Sequence, residues 1–453
     1  MEVDQEQAPF HQFDIDDSQT AITRGRTDFD PHSPSDVVSS LPPIDGGKQA
    51  WPFLAGATVI EIPVWGLPFS VGVLREYWSR ELFPYRGVSR RHHVNTGRHA
   101  VRVPGFSSLG SAYPQYRWQL MLLGLSGASL SIILSAFETQ PWHLVTSLCR
   151  IWHSCLLVLY MPAAILLFER FQQRRGIASG IMYAGTGAGG TVFPFIVQAL
   201  LHSFGYKAAM ISLGLGFFAR GAVAIIPIKP RVPTGRPRTT QGTSDPSGRS
   251  HARPKVNRSF LRRNTFYAFG GSILLSSLGN FLPTVWIPTY AADLGVKQPD
   301  GTTLLAILNA ASVPGLLLLG YLTDHWPLRS VITLSCLGSA AACLLLWGFP
   351  TNAGVLTAFA VIFGLLGPSF SAIWAKLIGI DPTLLSTIFS LFAFMPGIGN
   401  ITSGPVSEAL LKSPAWKAAA GAYGFKNYRA LLLYTGITML AGSAAGVMYK
   451  DSN

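Results

Sequence analysis

The sequence predicts an all-α protein that crosses a membrane many times, folded as a two-half helical bundle with eleven recognisable spans. Three observations predict it. Hydrophobic residues make up 49 % of the 453 residues and charged residues only 13 %, against roughly 25 % charged in a soluble domain. The apolar residues fall in repeated blocks of about twenty, the length of a helix that crosses the hydrocarbon core. A basic stretch rich in Pro, Ser, Thr and Gly then separates five such blocks from six.

Residues 1–47 are polar, acidic and broken by proline, with no secretory leader pattern, and are expected to form a disordered cytosolic tail. The first half, 48–228, holds spans at Trp51–Leu74, Trp118–Phe137, Leu144–Phe168, Ile177–Leu201 and Ala208–Ile228. Arg75-Glu76-Tyr77-Trp78 reads as an interfacial flank of the first. Residues 229–263 carry ten Lys/Arg and one acidic residue, Asp245. That composition cannot pack a core and, by the positive-inside rule, places the linker in the cytosol. The second half, 264–453, holds Phe266–Tyr290, Thr302–Leu322, Val331–Phe349, Val355–Trp374, Leu384–Leu411 and Ala430–Met448. The net charge of +13 is read as topology, since basic residues between spans mark the cytosolic side, and no nucleic-acid partner is expected. The four cysteines, Cys149, Cys155, Cys336 and Cys343, lie inside apolar blocks without metal-ligand or disulfide spacing.

The first half is one span short. Arg75–Arg117 has eight arginines, three histidines and no apolar run long enough to cross. If that stretch is cytosolic, the first helix is reversed, or it is not inserted, or a second helix is missing from this version of the chain.

Two segments carry a recognisable pattern. One is Asp45-Gly46-Gly47-Lys48-Gln49-Ala50-Trp51. The other is Phe171-Gln172-Gln173-Arg174-Arg175-Gly176-Ile177-Ala178-Ser179-Gly180, running on to Ala184-Gly185. Arg174 and Arg175 would anchor a cytosolic helix end, and Gly180 and Gly185 would admit a close neighbour. Together these segments resemble the two signatures of the monocarboxylate-porter family of the major facilitator superfamily, most closely its fungal branch. Gly320-Tyr321-Leu322-Thr323-Asp324, ending in Arg329, resembles that superfamily's gating signature, which implies that Asp324 and Arg329 latch helices at the cytosolic face. The likeness fails over Pro84–Arg117. The resemblance implies two halves rocking about a midplane site.

Ionisable residues inside spans cost about 2.5–3.5 kcal/mol each on insertion scales and point to function. Glu61 lies mid-span, Arg150 and His153 lie in Leu144–Phe168, and Arg220 lies in Ala208–Ile228. Glu61 reads either as a proton site or as the ion-pair partner of Arg220 or Arg150. Animal members of the family bind proton and carboxylate through an Asp and an Arg in helix 8. Here that span offers Asn309, Ser312 and Pro314 and no charge before Asp324. Asn280 and Trp286 bring polar and aromatic groups to the preceding span, and Asn400 lies beside Pro396 and Gly397. The expected substrate site therefore joins Glu61 and Arg220 to Asn280, Trp286, Asn309 and Asn400.

No enzyme signature competes. Gly185-Thr186-Gly187-Ala188-Gly189-Gly190 fits G-x-G-x-x-G but lies within an apolar span rather than after a strand. There is no Walker loop, H-E-x-x-H or G-x-S-x-G. No metal or cofactor is expected. Asn257-Arg258-Ser259 is a glycosylation sequon in the cytosolic linker, expected to stay unused. The resemblance implies a transporter, secondary-active or facilitative, for a small organic solute such as a monocarboxylate, with the proton as a candidate co-substrate, in the plasma membrane by family default. A transporter-fold sensor, or a non-functional product lacking helix 2, remains as the alternative.

Overall fold

In hydrocarbon each backbone N–H and C=O must be satisfied within its own segment, so an apolar block of this length folds as a helix. The structure is a computed structural model describing residues 43–82, 116–231, 264–349, 352–373, 382–412 and 423–448. Among these residues all regular structure is helical, and nine helical runs are long and apolar enough to cross a bilayer. They are α1 (Ala50–Leu74), α2 (Arg117–Ser135), α3 (Trp142–Arg170), the run Arg175–Ile225, α6 (Phe266–Asp293), α7 (Gly301–His325), α8 (Leu328–Trp347), α9 (Ala353–Ile373) and α11 (Arg429–Val447). The 51-residue run Arg175–Ile225 breaks at Gly205, whose φ of 73° is a left-handed turn that suits glycine. It thus supplies two passages, α4 (175–204) and α5 (206–225). With α10 (Pro382–Lys412), eleven helical passages match the eleven apolar blocks.

The helix starts and stops follow local chemistry. Asp300 caps α7 by accepting the Thr303 N–H at 3.1 Å, and Asn352 caps α9 by accepting the Val355 N–H at 3.0 Å. Trp326, extended before Pro327, ends α7. The first helix does not stop at Leu74. It continues helically to Tyr77 and through a wide π turn at Trp78–Leu82. Trp78 is buried, and Tyr77 stacks on Tyr206 with ring centroids 6.0 Å apart. The expected interfacial flank is therefore packed against the α4–α5 turn.

The direction of α1 follows from its ends. Its start lies where Asp45 bonds the loop before α4. Its far end, Leu82, lies against Phe137, Phe204 and Tyr206. Arg117 is back at the first end, its guanidinium 3.0 Å from Glu169 at the close of α3. Hence α1 and α2 run in the same direction, and α1 is packed in the bundle through buried Phe53, Leu54, Ala57 and Ile60. The stretch in which a second helix was expected falls at residues 83–115, outside the described residues. Most of the linker and its sequon also fall outside them. At Lys229 the chain is still tied to the bundle, because Arg170 donates to the Lys229 carbonyl at 2.7 and 3.2 Å. This end, carrying Arg117, Arg170, Arg174, Arg175 and Lys229, is called the basic end below.

The apolar core is divided. One cluster is built from Ala50 to Ile228. Two others are built from Leu282 to Met439 and from Phe269 to Phe392. A small fourth cluster, Tyr183, Ala184, Leu316 and Ala372, bridges α4 to α7 and α9.

Candidate functional site

Two carboxylates converge on the start of α4. The first turn of a helix leaves N–H groups without partners and carries the positive end of the helix dipole. Asp45 accepts the N–H groups of Gln172 at 2.7 Å, Gln173 at 2.9 Å and Arg174 at 3.0 Å. Its own N–H donates to the Arg170 carbonyl at 3.0 Å. Positive φ at Asp45 (58°) and Gly47 (90°) makes the tight turn that delivers this carboxylate. The two signature segments thus meet in space, and Gly46 and Gly47 serve the turn between Asp45 and α1. Hydrogen bonds to a charged acceptor contribute about 1.5–3 kcal/mol each. Asp45→Ala is therefore expected to lower stability by about 2 kcal/mol or more, with Asp45→Asn intermediate, as read from thermal unfolding of the solubilised protein.

The second carboxylate comes from the other set of helices. Asp324, at the end of α7, accepts the N–H groups of Gly176 at 2.8 Å and Ile177 at 2.9 Å. Below it α4 and α7 approach backbone to backbone. A Cβ on Gly176 would run into the Gly320 carbonyl, one on Gly180 into the Leu316 carbonyl, and one on Gly320 into Gly176. Further along, Gly187 and Gly190 face Asn309 and Ser312 of α7, while Gly185 and Gly189 face Thr58 and Ile62 of α1. The glycine run that mimics a nucleotide fingerprint is thus mid-helix, with its glycines shared between two helix neighbours. Asn309 is buried in this seam and donates to the Gly190 carbonyl at 3.4 Å.

Glu61 projects from α1 into the interior and is fully buried. The Thr186 hydroxyl donates to its Oε1 at 3.1 Å, and the Trp65 indole sits beside the carboxyl. Oε2 makes no hydrogen bond, and no cation pairs with Glu61 among the described residues. The hydroxyls of Tyr160 and Tyr183, 3.1 Å apart, lie close enough for the carboxyl to act on both electrostatically. Sequence reasoning did not single out Tyr160, Tyr183 or Thr186. The usable signal was Tyr183, Thr186 and Gly190 at helical spacing on one stretch of α4.

The remaining candidates lie apart. Arg220 is half-buried, its guanidinium over the Phe193 ring at 5.7 Å, and it is not paired with Glu61. Arg150 is exposed on α3, and His153 bonds the Leu148 carbonyl through Nδ1 at 3.0 Å. Asn280 sits at the break in α6, its Oδ1 buried without a hydrogen bond. A Cβ on Gly367 of α9 would meet that oxygen at 2.9 Å. Trp286 is half-buried, packs edge-on to Tyr428 at 6.3 Å and leaves its indole N–H without a partner. Asn400 lies on an exposed face of α10. Arg329 is exposed, and no ion pair joins it to Asp324 among the described residues. The structure therefore brings Glu61, Gly185, Asn309, Asp324, Arg175 and Gly180 onto the flanks of α4. It leaves Arg220, Asn280, Trp286 and Asn400 on other faces.

Comparison with known proteins matches this architecture. The sequence profile of the Major Facilitator Superfamily matches residues 106–378. The MFS transporter asaE of Aspergillus flavus is 24 % identical over 408 residues, covering 89 % of this chain and 87 % of that one. Monocarboxylate transporter 12-B of Danio rerio is 24 % identical over 399 residues, covering 82 % of each. Among solved structures, the human organic anion transporter MFSD10 superposes with a TM-score of 0.61 at 11 % identity, covering 88 % of this chain and all of that one. With the profile matched across most of its length and the fold shared, the chain belongs to the Major Facilitator Superfamily, among relatives that are fungal transporters and vertebrate monocarboxylate transporters.

Proposed function

We propose that the protein carries a small organic anion of the monocarboxylate type across a membrane together with a proton, by alternating access. One observation carries this reading. The seam between α4 and α7 is closed at the basic end by a carboxylate on backbone N–H groups and by glycine contacts, with a small apolar cluster around Leu316 beside them. Such a contact can open as a unit, exchanging protein partners for water at modest net cost. The halves before and after the linker then rock about the interior, and Asp324 is the latch on the cytosolic side, the side that the basic residues mark.

Glu61 is the proton-carrying group in this reading. A buried charge needs a partner, and Glu61 has a hydroxyl, two neighbouring phenols and no cation. It would therefore hold its proton in this closed form and exchange it when the interior opens. Asn309 is the polar contact for the solute on the α7 side, with Asn280 and Trp286 as further hydrogen-bonding groups in the second half. The name of one relative, a monocarboxylate transporter, supports the solute class. A plasma-membrane location is part of the same proposal.

The test is uptake of radiolabelled lactate, pyruvate, acetate and longer monocarboxylates by proteoliposomes holding the purified chain, with the outside made acidic. Saturable uptake of at least one acid above protein-free liposomes is expected. Uptake no greater than in the protein-free liposomes for the whole series would overturn the solute class.

A further inference from the structure

Arg220 stands outside the seam, in a groove of about 250 Å³ lined by the helices of the first set. The walls are Pro63 and Leu67 of α1, Trp152 of α3, and Phe193, Ile196 and Leu200 of α4, with Gly216 and Phe217 of α5. Ser212 also lines the cavity, but its hydroxyl turns back to the Ala208 carbonyl at 2.7 Å. Among the described residues that line it, Arg220 and the buried Trp152 indole N–H, which has no hydrogen-bond partner, are the groups with donor capacity to spare, and Arg220 is the charged one. No hydrogen bond or ion pair holds its guanidinium among the described residues, and its cation–π contact with Phe193 uses only one ring face.

The depth and the mouth of this cavity narrow the ligand. Arg220 lies fourteen residues beyond Tyr206, about 21 Å along α5, and Phe193 lies eleven residues before Phe204, about 17 Å along α4 from the same end. The guanidinium is therefore near the middle of a hydrocarbon core about 30 Å thick. Exposed Val192, Phe195 and Ile196 on α4 and exposed Leu215 and Phe218 on α5 flank the opening. No neighbouring atom would obstruct a side chain at Gly216, so the groove opens between α4 and α5 on the face that lipid covers. From Arg220 the apolar walls run toward the end away from the basic residues, to Leu200 and Ser212.

We propose that this groove is a lateral binding site for a lipophilic carboxylate dissolved in the bilayer, a single-chain fatty acid in chemical class. Its carboxylate pairs with Arg220 and its chain lies along Phe193, Ile196, Leu200 and Phe217. Charge complementarity selects the occupant. An unpaired guanidinium at this depth is costly, and an anion that brings its own apolar tail removes the cost. A phospholipid fits less well, because its phosphate lies at the edge of the core while this guanidinium lies near its centre. The site is separate from the α4–α7 seam, and its occupancy does not depend on which solute is carried.

The experiment uses the full chain in phosphatidylcholine nanodiscs. The probe is a twelve-carbon fatty acid bearing a diazirine at its tail, compared with its methyl ester, and labelled peptides are mapped by mass spectrometry. The acid is expected to label peptides around Phe193 and Gly216. Arg220→Gln is expected to reduce that labelling about tenfold or more, while Arg220→Lys keeps most of it. Gly216→Leu, which fills the groove and leaves the cation in place, is expected to reduce it as well, and it decides the matter if Arg220→Gln does not yield folded protein. Equal labelling by acid and ester, or labelling unchanged by Arg220→Gln or Gly216→Leu, would overturn the proposal. Displacement of the acid by phosphatidylglycerol at the same mole fraction would also overturn it, by assigning the groove to a phospholipid headgroup.

Discussion

Gly320→Val is expected to reduce uptake about a hundredfold while leaving the protein folded. The Gly320 Cα faces Gly176 and Gly180 across the seam, and even a methyl at Gly320 would overlap the Gly176 carbonyl. Two backbones that meet at glycine cannot admit a branched side chain without moving apart. Overpacking costs about 1–3 kcal/mol, and here the cost falls on the closed form alone, since the seam exists only there. At about 1.4 kcal/mol per factor of ten, the upper figure lowers the closed population roughly a hundredfold. Separation of the helices also pulls Asp324 away from the N–H groups of Gly176 and Ile177, so the latch is lost with the packing. The packing within each set of helices is untouched, because Gly320 faces α4 and not the cores around Phe53 or Phe359. Uptake that is unaffected by Gly320→Val would mean that the closed seam plays no part in the cycle.

Glu61→Gln is expected to uncouple transport from the proton gradient. One proton carried with each anion allows about tenfold accumulation per pH unit, by the same 1.4 kcal/mol per factor of ten. The Gln side chain keeps the shape of Glu61 and can still accept from the Thr186 hydroxyl, but it cannot release a proton. Accumulation driven by a one-unit gradient should therefore fall from about tenfold to no accumulation, while exchange of labelled for unlabelled solute at equal pH continues. Driven accumulation that survives in Glu61→Gln would place the proton on another group. Loss of exchange as well would make Glu61 a packing residue rather than a proton carrier.

Much of the fold was legible in the sequence because the bilayer imposes a simple rule. Blocks of about twenty apolar residues become helices, and Trp118–Phe137 or Val331–Phe349 could be placed within a few residues for that reason. Hydropathy sets the end of the first span at Leu74, as in the structure, but it does not report that the chain stays helical beyond it until Trp78 is covered by tertiary packing. The seam was half legible. Gly180 and Gly185 stood out as small residues near a helix start, but the partition of α4 glycines between α1 and α7 depends on which helices become neighbours. Asp45 was legible as part of a pattern and not as a cap, since its N–H partners lie more than 120 residues away in sequence. Asp324 and Arg329 were expected to latch helices at the cytosolic face; the Asp324 carboxylate accepts backbone N–H groups across the seam, at the positive end of a helix, while Arg329 is exposed, and no local pattern names that backbone partner. Arg220 and Glu61 share a half of the chain, but residue type alone could not show that one faces a lipid-side groove and the other the interior.

The most direct test of alternating access is the distance across the seam in a membrane. Spin labels would be placed at Gln173, at the start of α4, and His325, at the end of α7, both exposed, after replacement of the four native cysteines. The distance distribution would then be measured by pulsed electron resonance in nanodiscs, with and without Gly320→Val. The account predicts a short distance for the latched form together with a second, longer one, and a shift almost wholly to the longer distance in Gly320→Val. A single short distance in both proteins would contradict it, because the two sets of helices would then be a fixed body and the seam a permanent weld.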